Sequence, residues 1–189
     1  FFRNAIDQTY PTIKLNGCDG VDTWYLSSGE RGFDGGNAGN LTVNTTEKTE
    51  FIPYADKAII QAIGGKGSRG ASSPNCNGGN GGTGGNAGKI TINKYSSTSN
   101  QVLLISKPGL GGASGTKPSN CTLFVGGSPG ATNEINVSAS PSALLPQSDA
   151  GGGNVNYTNS GTDASDYVIF QGEIANAAVL NFFGNIQIE

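Results

Sequence analysis

Apolar and polar residues alternate in four short stretches of this chain. They are Leu41 and Val43 in "GGNAGNLTVN" (35–44), Ile90 and Ile92 in "GGNAGKITIN" (84–93), Ile135 and Val137 in "GATNEINVS" (130–138), and Ile186 and Ile188 in "FFGNIQIE" (182–189). A period of two with one apolar face predicts half-buried strands. A second set lies between them: "TIKL" (12–15), "AIIQAI" (58–63), "VLLISK" (102–107) and "YVIFQGEI" (167–174). These runs are more continuously apolar, which predicts strands covered on both faces. Polar stretches at 44–57, 93–101 and 138–166 read as long loops from the first kind of strand to the second.

The return path is glycine. Gly29, Gly32 and Gly35 are three apart, as are Gly64, Gly67 and Gly70, then Gly79, Gly82, Gly85 and Gly88, then Gly109, Gly112 and Gly115. Three residues per turn is the polyproline II geometry, which makes no internal hydrogen bonds. A bare glycine face lets a second such helix approach within backbone hydrogen-bonding range. Gly/Ser-rich tracts also serve as flexible linkers. Against that reading stand the periodic spacing, the abrupt end of the glycines where a strand begins, and turns containing "SSPNCN" (72–77) and "TKPSNC" (116–121). Each excursion is therefore expected to be a hairpin of extended glycine helices beside its neighbours. The expected fold is mostly β, an antiparallel sheet or sandwich or solenoid-like repeats, combined with a bundle of polyglycine II helices and little or no α-helix. One repeat-containing domain spans 1–189, with 1–11 as a possible N-terminal arm.

Composition narrows the class. Charged residues make up 13% of the 189 residues and the net charge is −3, so no basic footprint for nucleic acid is present. No apolar run approaches membrane-spanning length. Histidine is absent, which removes the usual proton shuttle and the commonest metal ligand. Methionine is absent even at position 1, so "FFRNAI" reads as a mature or trimmed start. A chain rich in Asn and Gly and poor in charge has the look of a secreted one, placed outside the cell, at a cell surface or on a virion.

At this point the repeats bear a likeness to known families. "GGNAGNLTV" and "GGNAGKITI" resemble repeats of filamentous-haemagglutinin-like secreted β-helix proteins. The glycine period is similar to the polyglycine II bundles of phage tail-fibre adhesins and springtail antifreeze proteins. The resemblance covers roughly 29–138, and the repeat of about 45–50 residues is longer than a simple β-helix rung. It implies secreted, surface-exposed roles in recognition or fibre formation.

Candidate sites are few. Cys76 and Cys121 follow a strand by 13 or 14 residues and sit at hairpin turns, so adjacent tips predict a Cys76–Cys121 disulfide, worth ~3–4 kcal/mol by loop closure. Cys18 is the odd thiol, buried or bridging to another subunit. Asn40, Asn44, Asn120, Asn136 and Asn156 open Asn-X-Ser/Thr sequons and are candidate glycosylation sites. Trp24 and Tyr25 could grip a sugar face or cover one end of the sheet. Asp19 with Asp22, or Asp163 with Asp166, would be the acid pairs for glycoside cleavage, but both lie in turn-like polar stretches. A Ser-His-Asp arrangement is impossible without histidine. The glycine run before Lys89 is no phosphate loop, because Ile90 and a strand follow it. No metal or cofactor is expected, and no enzyme.

Three functions remain. The first is a self-assembling structural or adhesive subunit of an extracellular filament, with "TIKL" and "NIQIE" as edge strands that pair between copies. The second is a receptor- or glycan-binding fibre tip that uses its loops. The third is ice binding by Thr-X-Asn-Thr and Thr-Ile-Asn patches.

Overall fold

The computed structural model describes residues 12–22, 29–44, 58–73, 78–98, 102–116 and 124–189. Among them are twelve strands and no helix. The chain winds in five coils. The first holds β1 (Thr12–Lys14) and β2 (Leu41–Val43), the second β3 (Ala58–Ile63) and β4 (Ile90–Tyr95), the third β5 (Val102–Lys107) and β6 (Ile135–Ala139). The fourth holds β7 (Gln147–Asp149), β8 (Asn154–Asn159) and β9 (Val168–Phe170). The fifth holds β10 (Ile174–Ala175), β11 (Val179–Phe183) and β12 (Ile186–Ile188).

Equivalent strands of successive coils stack into sheets ordered β1-β3-β5-β7-β10 and β11-β8-β6-β4-β2, with a third, two-stranded sheet β12-β9. Every pairing is parallel, which corrects the antiparallel expectation. The reason is topological. Consecutive strands enter different sheets, so each strand meets its counterpart one coil later, running the same way.

The last two coils also depart from expectation. The stretch 138–166 is not one loop, since it contains β7 and β8. "YVIFQGEI" does not continue the sheet of β1, β3 and β5 as one strand. It divides into β9 of the third sheet and the start of β10, while Ile186 and Ile188 pair with Val168 and Phe170. Here the coils are short: Leu41 aligns with Ile90, but Ile135 aligns with Val155 and Val155 with Leu180. A turn through Gly151 and Gly152, the latter at φ 94°, replaces the glycine excursion.

The core lies between the sheets. In β3, Ala58, Ile60 and Ala62 are buried while Ile59, Gln61 and Ile63 are half-buried, so this strand is fully covered on one face only. Inward ladders run Leu41–Ile90–Ile135–Val155–Leu180 and Val43–Ile92–Val137–Tyr157–Phe182. The Tyr157 ring stacks on Phe182 at 5.8 Å and meets Phe170 at 6.0 Å. Its hydroxyl lies 2.8 Å from Ser148 Oγ and donates to Pro146 O at 2.5 Å, so this buried oxygen is satisfied.

The glycine excursions of the first three coils form two layers. Outgoing segments 15–22, 64–73 and 108–116 extend one sheet, and returning segments 29–40, 78–89 and 124–134 extend the other. Within a layer, neighbours run parallel: the N–H groups of Gly64, Gly67 and Gly70 donate to Lys107, Leu110 and Ala113 at 2.8–3.0 Å. Between layers they run antiparallel: Gly79, Gly82 and Gly85 donate to Ala71, Ser68 and Gly65 at 2.8–2.9 Å. Donors thus recur every third residue in each direction. No residue of 64–73 or 78–89 has positive φ, so these glycines answer to space and not to backbone conformation. A Cβ on Gly85 would land on the carbonyl of Gly36, one on Gly64 on that of Gly85, and one on Gly109 on that of Gly65.

Candidate functional site

The inner segments 64–73 and 78–89 turn two residues of every three inward and one outward. In 64–73 the exposed positions are Lys66, Arg69 and Ser72, and in 78–89 they are Asn80 and Asn86, with Thr83 and Lys89 half-exposed. The N–H of an outward residue cannot reach a carbonyl of the facing layer, so a side chain must take it. Asp19 Oδ1 accepts from Lys66 N at 2.7 Å, and Asp22 Oδ1 from Arg69 N at 3.0 Å. On the other layer, Asp34, Asn37 and Asn40 accept from the backbone of Thr83, Asn86 and Lys89 at 2.7–2.8 Å. Asn80 and Asn86 pass the pattern on to Val125 at 3.0 Å and Ala131 at 2.8 Å. Asp19, Asp22, Asp34, Asn37, Asn40, Asn80 and Asn86 are thus short acceptors that complete the backbone bonding of the next coil.

A second polar ladder climbs the outer face of the sheet containing β2 and β11, in the register Thr42–Thr91–Asn136–Asn156–Asn181. Two of its amides donate to the coil before, and the third within its own coil. Asn181 Nδ2 donates to Asn156 Oδ1 at 2.8 Å, Asn156 Nδ2 to Asn136 Oδ1 at 2.7 Å, and Asn136 Nδ2 to Glu134 Oε2 at 3.3 Å. Glu134 also pairs with Lys89 at 3.1 Å, and this hydrogen bond, with that from Asn136, holds its carboxyl below the usual range. Hydrogen bonds from the Thr83 side chain and backbone, with Arg31 alongside, do the same for Asp34. Burial alone would raise Asp149, but hydrogen bonds from Lys107 and Asn176 and the Lys107 charge bring it below its ordinary value. Burial pushes the Tyr95 hydroxyl up to about 12, against the hydrogen bond of Ser97, and raises Tyr157 as well.

The fifth coil presents an open edge. Val179, Leu180, Phe183 and Ile188 are 47%, 41%, 50% and 67% exposed, high values for large apolar side chains gathered on one coil. Across the molecule, β1 and β2 are the corresponding edge strands of the first coil.

The expected site residues fall as follows. Asp19 and Asp22, considered as an acid pair, are backbone acceptors, and Asp166 Oδ2 closes a turn by accepting from Thr162 and Asp163 at 3.1 Å. Cys18 is exposed, not buried, and has no disulfide partner among the described residues. Asn40 caps Lys89, Asn44 Oδ1 accepts from Asn93 Nδ2 at 3.3 Å, and Asn136 and Asn156 belong to the amide ladder. Cys76, Cys121, Asn120, Trp24, Tyr25 and the arm 1–11 lie outside the described residues. The Asn181 end of the ladder had not been anticipated. Its signal was an Asn recurring beside apolar residues in "INV", "NVNY" and "LNF".

Two shallow depressions, one at Ser165, Tyr167, Asn185 and Gln187 and one at Thr132–Glu134 with Gly153 and Asn154, hold no grouping of nucleophile, acid and base. Among the described residues no helix is long and apolar enough to cross a membrane. What the arrangement offers is surface: two regular polar faces and an open apolar edge.

No protein-family model matches the sequence, and no curated protein matches it. Among solved structures, the chain is similar to the nine polyproline type II helical bundle springtail antifreeze protein from Granisotoma rainieri, at 21% identity. The match covers 70% of this chain and 76% of that one, with a TM-score of 0.19.

Proposed function

We propose that this chain is a non-enzymatic structural subunit of an extracellular fibre or adhesin, and that copies join head to tail by strand addition. The observation that carries the reading is the pair of edges left unpaired among the described residues of the parallel stack, with β10 and β11 at one end and β1 and β2 at the other. Parallel stacking is the one sheet arrangement in which a copy placed on top continues the same coil direction. The edge of an unpaired strand offers backbone donors and acceptors to such a copy. Unlike ends that join without closing a ring build an open filament. The apolar side chains exposed on β11 and β12 supply area to bury in doing so.

On this reading the glycine layers are a polyglycine II bundle fixed to the flank of a β-solenoid. The bundle satisfies its backbone with little side-chain volume, and so makes a thin, stiff, weakly charged flank. The test is negative-stain microscopy and light scattering of the purified chain over rising concentration. Filaments, or a mass that grows with concentration, are expected. A monomer at every concentration contradicts the proposal. Binding to a glycan array by that monomer would favour a receptor-binding tip instead.

A further inference from the structure

The open edges differ in what they lack, and the difference has a direction. Asn181 and Asn156 each donate to the coil before, and Asn136 donates to Glu134 within its own coil. Asn181 has therefore spent a donor on Asn156, and among the described residues nothing donates to its Oδ1. At the far end of the same ladder stands Thr42, whose hydroxyl is a donor, on an edge strand with no coil before it among the described residues. The register is equally continuous inside: Leu180 ends the apolar ladder that Leu41 begins, and Phe182 ends the one that Val43 begins. In the other sheet, the ladder from Ile13 runs through Ile60, Leu104 and Ser148 to Ile174.

Resting on the fibre reading above, we infer that copies join in one register. β11 of one copy lies beside β2 of the next, with Leu180 against Leu41, Asn181 against Thr42 and Phe182 against Val43, while Ile174 meets Ile13. The Thr42 hydroxyl then donates to Asn181 Oδ1, and the polar ladder passes across the junction. A shift of one residue would set Asn181 against an inward-facing Leu41 or Val43 and an apolar Leu180 or Phe182 against the outward-facing Thr42. A two-fold dimer of like ends would run β11 antiparallel to its own copy and break the parallel register of the ladder. Continuing that register thus requires head-to-tail joining.

Disulfide trapping in solution reads the register. Parallel neighbours lie about 4.8 Å apart, within the span a disulfide bridges. Asn181→Cys and Thr42→Cys are made on separate chains in a Cys18→Ser background and mixed under mild oxidant. Covalent dimers are expected in the mixture and not in either variant alone. An Asn181→Cys and Lys14→Cys mixture, which joins different sheets, is expected to give none. Filaments by microscopy without the 181–42 link overturn the register while leaving the fibre reading standing. Absence of both filaments and link overturns the two together. Should a cysteine variant fail to fold, Leu180→Lys carries the test, since this position is already exposed. It is expected to raise the concentration for half-assembly at least about tenfold with an unchanged unfolding midpoint, and unaltered assembly overturns the inference.

Discussion

Replacing Gly85 by alanine adds one methyl group where two neighbouring returning segments touch. A Cβ there falls on the carbonyl of Gly36, with the carbonyl carbon at 2.5 Å and Gly35 O at 3.0 Å. These atoms are backbone and cannot rotate away, so segment 78–89 has to withdraw from segment 29–40. That movement strains the bonds that tie them, Gly35 N to Thr83 O at 2.8 Å and Ala38 N to Asn86 O at 2.9 Å. It also pulls on Gly65 N, which donates to Gly36 O at 2.8 Å. Overpacking of a close-packed contact costs about 1–3 kcal/mol, and each weakened hydrogen bond about 1 kcal/mol more. The reduced freedom of the unfolded chain returns about 0.4–1 kcal/mol. A net loss of roughly 3 kcal/mol is expected, which for a chain of this size lowers the thermal midpoint by about 6–12 °C.

Gly39 is the control. Its Cβ would meet nothing nearer than Leu15 Cβ at 3.6 Å, and its φ is not positive. Gly39→Ala is therefore expected to leave the protein as stable as before, or to stabilise it by about 0.4–1 kcal/mol. Thermal and urea unfolding followed by circular dichroism measures both. Equal midpoints for Gly85→Ala and Gly39→Ala would refute the claim that close backbone approach explains the glycine.

Asn86→Ala is expected to cost about 1 kcal/mol by stripping the acceptor from Ala131 N–H, whereas Asn86→Asp keeps that oxygen and should unfold within a few tenths of wild type; urea midpoints decide. Tyr157→Phe leaves Ser148 without its hydroxyl partner and should cost about 1–3 kcal/mol, read in the same way. Asp34, Glu134 and Asp149 all have folded pKa values below their ordinary 3.8, 4.5 and 3.8. Their contribution is therefore complete above those values and is lost as pH falls through the lower, folded ones. The urea midpoint should drop between pH 5 and pH 2 (about one to two units either side of the carboxylate range), and Lys89→Met should flatten that drop. At high pH the sign reverses: Tyr95, raised to about 12, stabilises the fold below pH 10 and ceases to as pH climbs toward 12. Phenolate absorbance should show Tyr95 and Tyr157 resisting ionisation until the protein unfolds.

Eight of the twelve strands, β1 to β6, β9 and β12, were legible from the apolar runs and repeats, among them those in which Leu41, Ile90 and Ile135 keep one apolar face beside a recurring glycine lead-in. Their direction was not legible, since alternation is the same in parallel and antiparallel sheets. β7 was hidden by its residues, Gln147, Ser148 and Asp149. Ser148 faces the core only because the Tyr157 hydroxyl satisfies it there. β8 and β11 were missed because the glycine excursion that announces a strand elsewhere is replaced by short turns. The three-residue glycine period foretold inter-segment bonding, yet the role of Asp34, Asn37 and Asn40 stayed out of view. Each serves a backbone group 49 residues onward, and only the constancy of that offset betrays it. Asn40 opens a sequon and Asp19 and Asp22 lie close in sequence, and in the structure their oxygens complete the backbone of the next coil.

The central claim, that the glycine segments hold one another by backbone hydrogen bonds, is tested most directly by native-state hydrogen exchange resolved along the chain. The amides of Gly67, Gly82, Gly85 and Gly112 are predicted to exchange as slowly as those of β3 to β6. Exchange of these glycines at the rate of an unfolded peptide, while the strands remain protected, would contradict it.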